Sequence, residues 1–129
     1  MSKHILVIDD QEAARKSFIL ALKDTGYQVA TAESGEQGIE KVRETKFSLI
    51  FLDLKMPGID GVQTLRELRK LDANVPVYVV TAYHSEFLTP LKNAFIDGIQ
   101  FELLNKPVRS AQIRAIADGI LEDAKAVRQ

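Results

Sequence analysis

The chain contains no cysteine among its 129 residues, which excludes disulfides, thiolate metal sites and thiol catalysis. The same absence favours a cytoplasmic setting. No charge of one sign dominates. Seventeen basic residues face eighteen acidic ones, a net charge of −1, so there is no electrostatic footprint for direct nucleic acid binding. Long apolar runs are missing too: Met1-Ser2-Lys3-His4 leads into a core run too short for a signal peptide or a membrane span. Low-complexity stretches, linkers and internal repeats are also absent. His4 and His84 lack metal-ligand spacing and read as structural or surface residues. What remains is one soluble domain over residues 1–129, long enough to bury about two-thirds of the surface its unfolded form exposes.

Strand-period and helix-period segments alternate along this domain. Near-continuous apolar runs at 4–9 (HILVID), 47–53 (FSLIFLD) and 75–82 (VPVYVVTA) suit strands covered on both faces. Two other segments alternate. Tyr27, Val29 and Thr31 oppose Gln28 and Ala30, while Ile99, Phe101 and Leu103 oppose Gln100 and Glu102. Alternation implies a wetter face and hence a sheet edge. Amphipathic segments lie between: 11–24, with Ala14, Phe18 and Leu22 on one face and Gly26 as a stop; 35–45, opened by Ser34 and Gln37 at capping-box spacing; 62–71; and 111–127. Pro90 is awkward in a helix interior, so the fourth helix is expected to start there with Thr89 as its cap, leaving 83–88 as a loop or separate turn. Five strand–helix repeats with right-handed crossovers give an α/β fold, a doubly wound (βα)5 sandwich. The edge assignment selects a five-stranded parallel sheet in the order 2-1-3-4-5.

Ligands of such sheets sit outside the carboxyl ends of the strands. The first strand delivers Asp9 and Asp10 there, the third Asp53, the fourth Thr81, and the fifth hands over to Lys106-Pro107. Each residue alone has an ordinary explanation. Asp9-Asp10 could cap the first helix, Asp53 could shape a turn, Thr81 could be a plain strand residue and Lys106 a solvated lysine. Their convergence argues otherwise. Three crowded carboxylates repel, and a hard dication such as Mg²⁺, which prefers one or two carboxylates, waters and a phosphate oxygen, relieves them. Asp53 stands alone before a turn, where its carboxylate can attack phosphorus and form an acyl phosphate. Transfer of that kind needs positioning and charge neutralisation. Mg²⁺ would take one phosphoryl oxygen, the Lys106 ammonium a second, and Thr81 with the following N–H, that of Ala82, a third.

"VIDD", "LDLKMPGIDG", "TA" and "KP", in this order over about residues 3–122, resemble the response-regulator receiver domain of two-component signalling. The resemblance implies that Asp53 is the phosphoacceptor, carrying a 4-aspartylphosphate. It implies that Asp10 and Asp53 ligate Mg²⁺ directly, that Asp9 acts through a bound water, and that the Lys55 backbone carbonyl completes the protein ligands. Thr81 and Lys106 would bind the phosphoryl group, with a cis Lys106-Pro107 bond. The donor would be a histidine kinase or phosphotransfer protein. The domain would be a stoichiometric acceptor promoting its own phosphorylation and dephosphorylation, not an enzyme, and would switch a surface of the fourth helix, fifth strand and fifth helix. Two features depart from the family pattern. Leu103 stands three residues before Lys106, where Tyr or Phe is usual, and Thr81 to Lys106 spans 25 residues, with Pro90 between. Phe101 and Tyr83 are candidate substitutes in the switch. Lys55 and Tyr83 are expected at the rim of the site, tuning water access.

Two other functions compete. A Mg²⁺-dependent phosphatase with an aspartyl nucleophile would need a cap to bind substrate and a spaced Asp-x-Asp, and this chain has Asp-Asp. A nucleotide or flavin binder would need glycines after the first strand, where "DDQEAA" has none. The apolar stripe of the last helix continues through Ala124 and Val127. It suits a long docking helix, or a helix extending into a homodimer contact or toward an output domain.

Overall fold

The computed structural model describes residues 3–82 and 85–122. Its strands are β1 (His4–Ile8), β2 (Gln28–Ala32), β3 (Leu49–Asp53), β4 (Val77–Thr81) and β5 (Glu102–Asn105). They pair in parallel as one sheet ordered β2-β1-β3-β4-β5, the arrangement expected from the apolar runs and the alternating edges. The helices are α1 (Glu12–Ala21), α2 (Gly35–Glu44), α3 (Gly61–Leu71), α4 (Leu88–Ile96) and α5 (Ser110–Leu121), with a 3-10 turn at Ser85–Phe87 before α4.

Alternate residues of the central strands feed opposite layers. Ile5, Val7, Leu49 and Phe51 pack with Phe18, Ala21, Ile113 and Ala117 of α1 and α5. Leu6, Ile8, Ile50 and Leu52 pack with Ile39, Leu65, Leu68 and Leu91 of α2, α3 and α4. Each of these strand residues is at most 1% exposed. Burial at about 1.5–3 kcal/mol per large apolar side chain makes β1 and β3 the firmest part of the molecule. Caps set where the helices begin. Ser34 Oγ accepts the Gln37 N–H at 3.1 Å, while Gln37 Oε1 accepts the Glu33 N–H at 2.6 Å. Asp60 caps α3 by accepting the Gln63 N–H at 2.9 Å.

Several elements differ from expectation. The fourth helix begins at Leu88, not Pro90, and Phe87 rather than Thr89 holds the cap position without a side-chain bond. The preceding 3-10 turn leads straight into it, and Pro90 sits in the first turn, where the missing N–H had no intrahelical partner to lose. The fifth strand is Glu102–Asn105 rather than 99–103. Residues before it are used to close α4: the Gly98 and Ile99 N–H groups donate to the Phe95 and Ala94 carbonyls, and Gly98 has φ +88°. Ile99 and Phe101 pack on the core from this connection, while Leu104 is the buried strand residue and Leu103 is 54% exposed. Helix α1 stops at Ala21, short of Gly26. Asp24 (φ +66°) and Gly26 (φ +86°) both lie in the turn that follows. At β2, Ala30 and Val29 pack on opposite layers, so both faces of this edge are partly covered.

Ala124, Val127, Tyr83 and His84 lie outside the described residues. Among the described residues no helix is long and apolar enough to cross a membrane.

The chain folds back tightly after β3. Gly61 donates its N–H to the Leu54 carbonyl at 2.9 Å, and a Cβ at Gly61 would lie 2.4 Å from Leu54 Cα. Gly119, on α5, has nothing within 4 Å of such an atom. Gly61→Ala is therefore expected to lower the unfolding free energy by about 1–3 kcal/mol. Gly119→Ala should raise it by up to about 1 kcal/mol. Urea unfolding of the two variants checks both signs.

Candidate functional site

Strands β1 and β3 end side by side, with Ile8 opposite Leu52 as their last pair. Asp9 and Asp53 come next, each two residues beyond a residue packed toward α1 and α5 (Val7 and Phe51). The Asp9 N–H still donates to the Ala32 carbonyl at 3.0 Å, so the ladder holds the first acid in strand-like backbone. On the other side Thr81 pairs with Asn105, and the Lys106 N–H donates to the Thr81 carbonyl at 2.8 Å. That bond continues the β4–β5 ladder by one residue and brings Lys106 to the same edge.

The side chains then meet. Lys106 Nζ lies 2.9 Å from Asp53 Oδ1 and 4.0 Å from Asp9 Oδ2. Asp9, Asp10 and Asp53 each present a carboxylate oxygen, all within 4.8 Å of one another. Asp9 and Asp53 are only 3% and 5% exposed, and Asp10 is the most open of the three. The Lys106–Pro107 peptide is cis. Thr81 is half-buried at the end of β4, Ala82 is exposed just beyond it, and Lys55 is exposed in the loop after β3. Of the residues considered for switching, Leu103 is exposed on β5, Phe101 packs partly on the core, and Tyr83 is outside the described residues.

Two neighbours of the site were not legible in the sequence. The Gln11 N–H donates to Asp9 Oδ1 at 2.9 Å. Arg15, on α1, donates to the Asp9 carbonyl at 2.9 Å and reaches Glu33 at 3.4 Å, its side chain only 12% exposed. A helical arginine beside Ala14 looks like a solvated residue until the fold tucks it against the strand end. A groove of about 480 Å³ runs from Asp9 and Lys106 between Ala14, Phe18, Pro107 and Ile113.

Burial dominates the electrostatics. Desolvation pushes the Asp53 carboxyl up to about 6; the Lys106 hydrogen bond pulls it down, and the Asp9 charge adds to the rise. Asp9 is also raised, first by burial, against its hydrogen bond from Gln11 and the charge of Lys106. For Lys106, burial alone would lower the pKa, but the bond to Asp53 and the surrounding acids outweigh it and hold the ammonium above its ordinary value. One ammonium thus faces three carboxylates. The donor set is all oxygen and carries excess negative charge, which fits a small hard dication with waters completing its shell.

The fold is a doubly wound α/β domain with an acidic pocket at the carboxyl edge of its sheet. The family model for the response regulator receiver domain matches residues 5–118. The chain belongs to that family, and so is a phospho-accepting receiver of two-component signalling. It is 36% identical over 124 residues to the transcriptional regulatory protein GlrR of Escherichia coli (strain K12), covering 95% of this chain and 27% of that protein. It is 37% identical over 124 residues to the alkaline phosphatase synthesis transcriptional regulatory protein PhoP of Bacillus subtilis (strain 168), covering 94% of this chain and 49% of that protein. The chain thus spans half or less of the length of these relatives. A CheY-like response regulator receiver domain protein from Methanospirillum hungatei superposes with a TM-score of 0.82 at 28% identity, covering 98% of this chain and 99% of the other. A response regulator protein from Burkholderia pseudomallei, solved with a phosphorylated aspartic acid, a calcium ion and citrate, gives 0.75 at 26% identity, covering 98% of this chain and 71% of that one.

The raised Asp53 pKa carries a stability consequence. The folded protein holds this proton more tightly than the unfolded chain, where the group titrates near 3.8. In the metal-free protein the Asp53 contribution to stability therefore falls as pH climbs from about 4 to about 6 and stays low above that, a loss on the order of 2–3 kcal/mol. Asp53→Asn removes the ionisation. In chelator at pH 7.5 it should unfold at higher denaturant than the wild type, and the gap should shrink toward zero at pH 4. An Asn variant no more stable at pH 7.5 would contradict the assignment of a strained carboxylate.

Proposed function

We propose that Asp53 takes a phosphoryl group from a phosphohistidine on a histidine kinase or phosphotransfer protein, and that the acyl phosphate switches a partner-binding or dimerisation surface. A carboxylate oxygen of Asp53 attacks phosphorus, and the P–N bond to the donor imidazole breaks with its electron pair leaving on the nitrogen. The observation that carries this reading is the Asp53 carboxylate, buried with Asp9 and paired with the Lys106 ammonium at 2.9 Å. Receiver domains hold Mg²⁺ in an acidic pocket. Here Asp10, Asp53 and the Lys55 carbonyl would ligate it directly and Asp9 through water, and the ion would supply charge neutralisation for the phosphoryl oxygens.

The protein's own groups do the rest. Lys106 stays beside Asp53 to neutralise a second phosphoryl oxygen as charge builds on the group being transferred. The Thr81 hydroxyl and the Ala82 N–H serve a third. Lys55, exposed in the loop after β3, tunes how readily water reaches the acyl phosphate. The domain is a stoichiometric acceptor that promotes its own phosphorylation and dephosphorylation. The phosphorylated aspartic acid and calcium ion of the Burkholderia protein support the same chemistry at this pocket.

Output runs through α4, β5 and α5, where Leu88, Phe95, Ile96 and Leu103 are 54–72% exposed. An apolar face of this kind suits a protein partner or a second copy, and the similarity to transcriptional regulatory proteins favours a transcriptional output. The chain acts as a single receiver domain with its core over about residues 3–122, working in the cytoplasm, and its last helix extends toward a partner or an output domain.

Incubation with acetyl phosphate and Mg²⁺, followed by intact-mass measurement, tests the proposal. Wild type should gain one phosphoryl group, while Asp53→Asn, or wild type in excess chelator, should gain none. Uptake by the Asn variant, or none by wild type, would overturn it. A Lys55→Ala variant should alter the rate at which the phosphate is lost, and an unchanged rate would remove Lys55 from the rim role.

A further inference from the structure

The loop after Asp53 is pinned at its base and gripped at its tip. At the base, Gly61 bonds back to Leu54, with its Cα face against the Asp53 and Leu54 main chain. At the tip, Gly58 has φ +80°, and the Glu36 carboxylate from the first turn of α2 fills the space a side chain would need. A Cβ at Gly58 would lie 2.9 Å from Glu36 Oε2 and 3.2 Å from Oε1. The next N–H, that of Ile59, donates to Glu36 Oε2 at 3.4 Å. Helix α2 offers a firm post for this grip. A Cβ at Gly35 would fall 2.1 Å from Thr64 Oγ1 and 2.8 Å from Ile59 Cγ1, so the Thr64 and Ile59 side chains pack directly against the α2 backbone. Ser34 and Gln37 cap the same turn.

From these contacts we infer that Glu36 is a positioning residue for the acceptor site. It fastens the tip of the 54–60 loop and thereby fixes where the Lys55 main chain meets the acidic pocket. This rests on the reading that Lys55 contributes its carbonyl to the Mg²⁺ site. Between base and tip stand Lys55, the buried Met56 and Pro57. With the base held by Gly61, the remaining freedom of the loop lies at its tip, where Gly58 provides the soft backbone. Removing the acceptor oxygen at 36 leaves that freedom unopposed. Glu36 itself is exposed, so its loss should not unfold the domain.

The test is a Mg²⁺ titration of the full chain followed by backbone amide NMR shifts, for wild type, Glu36→Ala and Glu36→Gln. Gln keeps an acceptor oxygen and loses the charge. The Ala variant should bind Mg²⁺ roughly tenfold more weakly, the low end for outer partners of metal ligands, while Gln stays within about twofold of wild type. Ala binding as tightly as wild type would overturn the inference, as would Gln binding as weakly as Ala, since charge alone would then explain the loss. Wild type is treated with acetyl phosphate in the same buffer. Failure to take up a phosphoryl group defeats the acceptor reading itself, whereas normal uptake with an unchanged Ala titration defeats only the role of Glu36. A wild type that binds no Mg²⁺ overturns both.

Discussion

Two carboxylates at the ends of adjacent buried strands are the constraint on which the rest of the structure turns. Asp9 and Asp53 are 3% and 5% exposed, and a charge so far removed from water is costly unless a counter-charge reaches it. Lys106 reaches both, at 4.0 and 2.9 Å. It arrives because the β4–β5 ladder runs one residue past β5, through its N–H bond to the Thr81 carbonyl. The sheet order therefore has a chemical purpose. Placing β1 beside β3 gathers the acids, and placing β4 and β5 next in line ends β4 with Thr81 at the same edge and delivers the Lys106 ammonium.

Burial, more than the neighbouring Asp9 charge, raises the Asp53 pKa, and the bond to Lys106 offsets only part of that rise. The protein carries this cost because its core can sustain it. The central strands send fully buried apolar residues to both layers, and α2 and α3 close over one face while α1 and α5 close over the other. The apolar core thus offsets the cost of holding buried charge at the strand ends.

The architecture was legible because its signals are local. An apolar run without alternation marks β1, β3 and β4 as central, and alternation marks β2 and β5 as edges. The acids at 9, 10 and 53 then fall at one end of the sheet by counting along the strands. Where tertiary contacts decide, the sequence was silent or misleading. Pro90 looks like a helix start, yet the 3-10 turn before it begins the helix two residues earlier. Leu103 seems to share an inward face with Ile99 and Phe101, but the closing turn of α4 shifts the strand and leaves it exposed. Arg15 and Glu36 read as ordinary helix-surface charges. Their contacts form only after folding: with the Asp9 carbonyl for one and with the loop tip at Ile59 for the other.

A divalent cation should relieve the unfavourable charge held in the acidic pocket. The direct measurement is the unfolding free energy at pH 7.5 as a function of Mg²⁺ concentration, with ionic strength held constant by sodium chloride. Binding to the folded state alone predicts a rise of about 1.4 kcal/mol for each tenfold increase in Mg²⁺ above its dissociation constant. A stability that does not change with Mg²⁺ would contradict the account.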